Sequence, residues 1–163
     1  MKVYIKNKFL SLRGDSAILD ENLQPIYVVE GKLFSLSHMK KLYDRNNNLL
    51  YIIKNRVFNF FRYRTYIYDQ DHQLIATIKD KMFNFKREYF IEGCEDEIRI
   101  EGKFIGLTSK IIKNGQVCGI IRRKITFLAD AFELEASEED MPFMIAVVIA
   151  MDNLIDKKQA ENS

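Results

Sequence analysis

Tryptophan is absent from this chain of 163 residues, and proline, cysteine and histidine occur only twice each. The two cysteines, Cys94 and Cys118, are too few for a disulfide framework, and with His38 and His72 they do not have the spacing of a metal site. We therefore expect free thiols in a reducing, cytoplasmic setting, with no metal and no cofactor. The first ten residues contain three lysines and no continuous apolar run, so they are not predicted to be a signal peptide.

An excess of one charge is also lacking. The chain has 25 basic and 23 acidic residues, a net charge of +2, which gives no general case for a nucleic-acid partner. The charges are nevertheless uneven along the chain, because residues 1–90 contain 16 basic and 9 acidic residues whereas residues 91–163 contain 9 and 14. A hydrophobic content of 47% is typical of a soluble globular domain.

Catalytic patterns are missing as well. The chain has no phosphate-binding loop, dinucleotide fingerprint, nucleophile elbow or paired-histidine zinc motif. Carboxylates cluster at residues 95–97 and 133–140, but without the spacing of a calcium loop. Neither cysteine has a neighbouring histidine or basic helix start that would lower its pKa. The sequence therefore predicts a protein that is not an enzyme.

The most hydrophobic segment lies near the carboxyl end, at residues 141–155, and it is apolar on every side from Phe143 to Met151. It is shorter than the roughly 20 apolar residues that span a membrane, so we expect protein to enclose it. Ser137 with Asp140 three residues later is typical of a helix cap. The β-branched residues 147–149 would also fit a buried strand, but the length of the segment and its alanines and methionines favour a helix.

Before residue 137 the chain lacks a helical period. Short apolar runs alternate with turn residues about every ten positions, which is typical of an all-β barrel or sandwich. Closure into a barrel would leave no exposed strand edge and would cover the apolar helix. We expect one domain over residues 1–156, followed by a polar tail at residues 157–163.

An internal repeat organises the middle of the chain. Residues 43–60 align with residues 68–85, 25 positions later, and weaker copies begin near residues 20 and 114. Each copy has a polar turn, then an apolar strand, then a basic group, which predicts a repeated hairpin. Residues 63–68 alternate between two faces, yet in the next copy Tyr89 and Ile91 align with Arg64 and Tyr66. A bulge or a shifted strand start would reconcile the two copies.

The basic groups of the repeat are the leading candidate site. They follow the apolar strands at equivalent places, and we expect them to lie at one rim of the barrel, where they would attract anionic head groups. The predicted site residues are Lys54, Arg56, Lys79, Lys81, Arg122, Arg123 and Lys124. The alternative is that these cations only solvate the hairpin ends. Residues 58–68 interleave aromatic residues with arginine, as single-stranded nucleic-acid binders do, but the near-zero net charge favours an ordinary half-buried strand.

The chain resembles the LURP-one-related family, of the small bacterial type with a tubby-like fold. The resemblance covers almost the whole chain, and it is carried by residues 4–12, 27–36, the two aspartate-led hairpins, 90–93 and 144–152. It implies a mainly β protein, a closed antiparallel barrel of about twelve strands around the hydrophobic C-terminal helix. Tubby domains, whose fold is similar to the one that the resemblance implies, bind phosphoinositide head groups through surface lysine and arginine.

Taken with that resemblance, the basic groups favour a non-enzymatic binding module. The expected partner is an anionic phospholipid or membrane surface, which would place the protein in the cytoplasm or peripherally at a membrane. The alternative is a protein-interaction or scaffold domain with a protein partner.

Overall fold

The computed structural model describes residues 1–6, 16–31, 39–55, 64–80, 88–102, 108–125 and 130–161. Within these residues the chain forms strands and, at its carboxyl end, a helix. The elements in chain order are β1 (Lys2–Lys6), β2 (Ser16–Asp20), β3 (Pro25–Gly31), β4 (Lys40–Asp44), β5 (Leu49–Asn55), β6 (Arg64–Tyr68), β7 (Leu74–Asp80), β8 (Glu88–Glu92), β9 (Ile98–Gly102), β10 (Thr108–Lys113), β11 (Gln116–Ile125), β12 (Asp130–Ala136) and α1 (Met141–Glu161). The predicted strands at residues 33–37 and 104–107 lie outside the described residues.

The twelve strands form one closed antiparallel barrel in which each strand pairs with its neighbours in sequence. Closure is made by β1, which pairs with β2 through Val3 opposite Asp20 and with β12 through Lys2 opposite Glu135. The terminal amine of Met1 donates a hydrogen bond of 2.9 Å to the carbonyl of Ala136. The predicted closed barrel is therefore confirmed, and its closure leaves no strand edge among these pairings.

The helix α1 lies inside the barrel, as the sequence predicted. Every residue from Met144 to Met151 is fully buried, on all sides of the helix. The barrel wall supplies alternate residues of the strands to the same core, among them Val3, Ile53, Ile78 and Leu134. Hydrophobic burial of this segment is therefore what fixes the fold. The helix continues into the expected polar tail as far as Glu161, because residues 157–161 are good helix formers.

Polar groups anchor the second half of α1 to the barrel wall. The side-chain amide of Asn55 donates a hydrogen bond of 3.1 Å to the carbonyl of Asn153, and the Thr65 hydroxyl donates one of 2.8 Å to Oδ1 of Asn55. Lys40 and Asp152 form an ion pair of 3.7 Å. Because buried polar groups cost free energy unless they are paired, these contacts specify how deep the helix enters the barrel.

The start of α1 is held by the predicted cap. The backbone N–H of Asp140 donates to the Ser137 hydroxyl at 3.1 Å, and that hydroxyl donates to Oδ2 of Asp140 at 2.7 Å. The ammonium of Lys113 lies 3.1 Å from carboxylate oxygens of both Asp140 and Asp96. The pKa of both carboxyls is lowered. For Asp140 the largest cause is the hydrogen bond from the Ser137 hydroxyl, followed by that from Lys113. For Asp96 the largest cause is the hydrogen bond from the Asn114 side chain. The two carboxylates raise the pKa of Lys113 to about 12.

This network predicts an acid-sensitive helix start. A carboxyl whose pKa is lower in the folded than in the unfolded chain stabilises the fold above the unfolded value, and that contribution disappears as the pH falls through the folded value. We expect the free energy of unfolding to fall below about pH 4. The double variant Asp96→Asn with Asp140→Asn should show a shallower fall in urea titrations from neutral to acidic pH. The exposed control Asp71→Asn should follow the wild type, and an unchanged slope in the double variant would contradict the prediction.

The repeat predicted from the sequence is a structural repeat of hairpin tips. In β2–β3, β4–β5 and β6–β7, an aspartate carboxylate at the end of the first strand accepts the backbone N–H groups two and four residues later. These aspartates are Asp20, Asp44 and Asp69, and the six hydrogen bonds measure 2.8–3.0 Å. The residue three positions after each aspartate has a left-handed backbone, with φ of 62°, 65° and 64°. A register shift precedes each tip at the equivalent residue pair.

The phase difference between the copies has its origin in the length of one connection. Asn55 pairs with Thr65, so nine residues lie between them, whereas Asp80 pairs with Tyr89 across eight. The register therefore shifts by one residue, which moves every following side chain to the other face of the sheet. Of the two explanations left open by the sequence, the shifted strand start is correct, and Tyr89 and Ile91 are buried in the core.

Candidate functional site

The strands β5, β6 and β7 lie side by side, and their alternate residues face the barrel interior. Thr65 and Ile67 of β6 are completely buried, so the residues between and beside them point outward. The residues of outward phase on these three strands include Lys54, Arg64, Tyr66, Tyr68 and Lys79. We call these five residues the basic face.

The three cations of the basic face are close neighbours. Arg64 and Lys79 occupy directly opposite positions of β6 and β7, where side chains of an antiparallel pair begin about 5 Å apart. Lys54 pairs with Tyr66, so it is the diagonal neighbour of Arg64 at about 7–8 Å. Three positive side chains therefore start from three adjacent strands. The ammonium of Lys54 lies over Tyr68, and that of Lys79 contacts Glu92.

The two tyrosines form the apolar part of the basic face. The ammonium of Lys54 lies 5.1 Å from the centroid of the Tyr68 ring, within the range of a cation–π contact. The rings of Tyr66 and Tyr68 are 6.4 Å apart and tilted by 52°. Ile52 has the same outward phase as Lys54 and lies opposite Tyr68 in the sheet. Its side chain is nevertheless only 1% exposed. The lysine is therefore positioned over an aromatic surface rather than extended into solvent.

Only part of the charge on the basic face is compensated. The ammonium of Lys79 contacts the carboxylate of Glu92 on β8. Among the residues that the structure describes, no carboxylate lies within ion-pair distance of Lys54 or Arg64. Counting only the described side chains, this face carries more positive than negative charge.

The predicted site residues of β11 lie elsewhere. β11 is six strands from β5 in the closed barrel of twelve, so Arg122 is on the opposite side from Lys54. The guanidinium of Arg122 lies 3.0 Å from Glu133 and 2.9 Å from Glu135. The pKa of Arg122 is raised by its hydrogen bonds to these carboxylates, and Arg122 in turn lowers the pKa of Glu135. Its charge is therefore already neutralised within the protein.

The other four predicted residues are outside the described residues or belong to β11. Arg56 and Lys81 lie outside the described residues. Arg123 follows Arg122 in the strand and therefore has the inward phase of Ile121. Lys124 belongs to β11, and its side chain is not described. Of the seven predicted residues, Lys54 and Lys79 thus lie on the same part of the barrel wall, on either side of β6.

The other candidates from the sequence have structural partners. The acidic loop at residues 95–97 is tied to the next hairpin, where the Asn114 amide donates to Asp96 at 2.7 Å. Burial raises the pKa of both Cys94 and Cys118, which disfavours the reactive thiolate. Within the described ranges, no three side chains of the metal-binding types are grouped for an ion.

Sequence reasoning missed Arg64 and Glu92 as members of the site. The outward phase of Arg64 followed from the alternation of residues 63–68, which was the available signal. Its position opposite Lys79 depends on the register between β6 and β7, and the contact of Glu92 with Lys79 depends on the shifted register of β8. Neither register is visible in the sequence pattern.

The fold and this face together define a closed antiparallel barrel, filled by its own C-terminal helix, with a positive and aromatic patch on its outer wall. The family model for LURP-one-related proteins matches residues 1–152, so the chain belongs to that family. Searches of curated proteins and of solved structures found no match. None of the described helical residues forms a stretch long and apolar enough to cross a membrane.

Proposed function

We propose that this protein is a non-enzymatic binding module whose basic face docks on phospholipid head groups at an anionic membrane surface. The proposal includes a cytoplasmic, peripheral location and a tubby-like relationship of the barrel, as the sequence resemblance implied. The observation that carries it is the direct opposition of Arg64 and Lys79 across β6 and β7. Like charges at opposite positions destabilise a sheet, so their placement together, with Lys54 beside them, points to an external anion that compensates them.

The expected strength of such docking suits a reversible membrane contact. Each cation near an anionic surface contributes about 1 kcal/mol, so the three cations together contribute about 3 kcal/mol. Tyrosine rings favour the boundary between water and lipid, because one end of the ring is polar and the rest is apolar. Tyr66 and Tyr68 therefore add an interfacial contribution beside the charges.

The charges of the barrel ends support one orientation at the membrane. The hairpin tips and the start of α1 lie at one end, where cations are few. Its acidic residues are Asp20, Glu21, Asp44, Asp69, Asp71, Glu95, Asp96, Glu97, Glu138, Glu139 and Asp140. An anionic surface repels this end, so it would face away from the lipid.

The segments of sequence between the described ranges have the opposite composition. Together they contain one acidic residue, Asp15. Their basic residues are Lys8, Arg13, Lys32, Arg56, Arg62, Lys81, Lys86, Arg87 and Lys103. The basic face lies toward the end of the barrel away from the hairpin tips, since Lys54 and Lys79 are the penultimate residues of β5 and β7. The charge polarity of the sequence and the basic face therefore favour the same orientation.

The proposal is tested by flotation with phosphatidylcholine vesicles prepared with and without phosphatidylserine. We expect the protein to float with the anionic vesicles at about 0.05 M salt and to dissociate at about 0.5 M, because salt screens exposed charges. It should remain in solution with the neutral vesicles. Failure to float with anionic vesicles at low salt, or equal flotation with both kinds, would overturn the proposal and leave the protein-interaction alternative.

A further inference from the structure

Glu92 pairs with Lys79 of the basic face across β7 and β8. It is the last residue of β8 and lies opposite Thr77, so it reaches Lys79 diagonally. Its side chain is 54% exposed, yet its carboxylate contacts the Lys79 ammonium. Exposed ion pairs of this kind contribute little to the stability of a fold, so stability gives a weak reason for the contact.

The partners of Arg122 provide the contrast. Glu133 is 8% exposed, and together with Glu135 it holds Arg122 between two carboxylates on β12. An incoming anion would have to displace two charged groups there, one of them buried. At Lys79 it would have to displace one exposed carboxylate. An external anion can therefore replace the internal carboxylate more easily at Lys79 than at Arg122.

We infer that Glu92 is a built-in competitor of the ligand: its carboxylate occupies Lys79 in the free protein and gives way to a phosphate group when the basic face docks. This inference rests on the proposed function and concerns the regulation of the same face. The exchange replaces one charge-assisted hydrogen bond with another and breaks no covalent bond. Because a phosphate offers more acceptor oxygens and an equal or larger charge, it can engage Lys79 together with Arg64 on the opposite position of β6. Glu92 thereby sets the affinity below the level that the three cations alone would give.

The test compares Glu92→Gln with Glu135→Gln. Both changes remove one negative charge from an exposed, paired glutamate, but Glu135 lies on the far side of the barrel. Dissociation constants are measured by titration with phosphatidylcholine–phosphatidylserine vesicles at low salt, and again with soluble inorganic phosphate as a competitor, to separate a lipid surface from free phosphate. We expect Glu92→Gln to bind the vesicles about two- to fivefold more tightly than the wild type and Glu135→Gln to stay near it.

A double-mutant cycle with Lys79→Gln distinguishes competition from a general charge effect. If Glu92 acts by occupying Lys79, the gain from Glu92→Gln should become much smaller once Lys79 is replaced. Equal gains from Glu92→Gln and Glu135→Gln, or a gain that persists without Lys79, would overturn the inference while wild-type binding still supported the proposed function. No binding by either the wild type or Glu92→Gln would overturn both the inference and the proposed function.

Discussion

Replacement of Val147 by aspartate is expected to abolish the cooperative folding of the domain. Val147 is completely buried, as are its neighbours from Met144 to Met151, so the new carboxylate would be shielded from water among apolar side chains. Such a group costs at least about 5 kcal/mol, which is comparable with the whole stability of a typical domain. Urea denaturation followed by circular dichroism would show a lost or strongly shifted transition.

The matched control is Val117→Asp. Val117 is 53% exposed at the start of β11, so the same substitution should change the free energy of unfolding by less than about 1 kcal/mol. A graded change, Ile149→Val, should cost about 0.5–1.5 kcal/mol through loss of one buried methylene. A Val147→Asp protein as stable as the wild type would mean that the helix is not enclosed, and the architecture described here would be wrong.

The enclosed helix was predictable because its signal is local. An apolar segment without a polar side, shorter than a membrane span and preceded by Ser137 and Asp140, has few alternatives. The cap forms as expected, with the Asp140 N–H bonded to the Ser137 hydroxyl. Burial of residues 144–151 follows from the same composition. Closure was predictable for a related reason, since a closed barrel leaves no strand edge and covers the apolar helix. The number of strands was an expectation from the family resemblance.

The backbone geometry of the hairpin tips was also predictable from the local sequence. An aspartate carboxylate can accept backbone N–H groups two and four residues later, so Asp44 and Asp69 act identically in the two copies. Sequence similarity at the tips therefore implies similar backbone geometry. The similarity ends where the connection between β7 and β8 loses one residue, because a one-residue change reverses the faces of the following strand.

The arrangement of the candidate site was less predictable, because it depends on position around the barrel. Lys54, Lys79 and Arg122 all follow apolar strand residues, and the sequence treats them as equivalent. Strand order separates them, since β5 and β7 are two strands apart and β11 lies on the far side. The neutralisation of Arg122 also depends on Glu133 and Glu135, which are brought to it by the pairing of β11 with β12. Such long-range partners leave no periodic signal in the chain.

Simultaneous replacement of Lys54, Arg64 and Lys79 by glutamine is expected to reduce the affinity for anionic vesicles about 100-fold or more. The three cations lie on adjacent strands with Glu92 as the compensating carboxylate identified among the described residues. A loss of about 1 kcal/mol for each cation amounts to about 3 kcal/mol, which is more than a factor of 100 in the dissociation constant. The measurement is a vesicle titration at low salt, with circular dichroism to verify the fold.

The control for this variant must remove the same net charge elsewhere. Lys2, Arg45 and Lys110 lie outside the basic face, on β1, on a hairpin tip and on β10. Their triple replacement by glutamine should weaken binding only about threefold, because charges far from the contact are screened within about 10 Å at moderate salt. If the two triple variants lost affinity equally, binding would follow the net charge of the protein, and the basic face would have no particular role. A large loss confined to Lys54, Arg64 and Lys79 would instead locate the membrane contact on β5–β7.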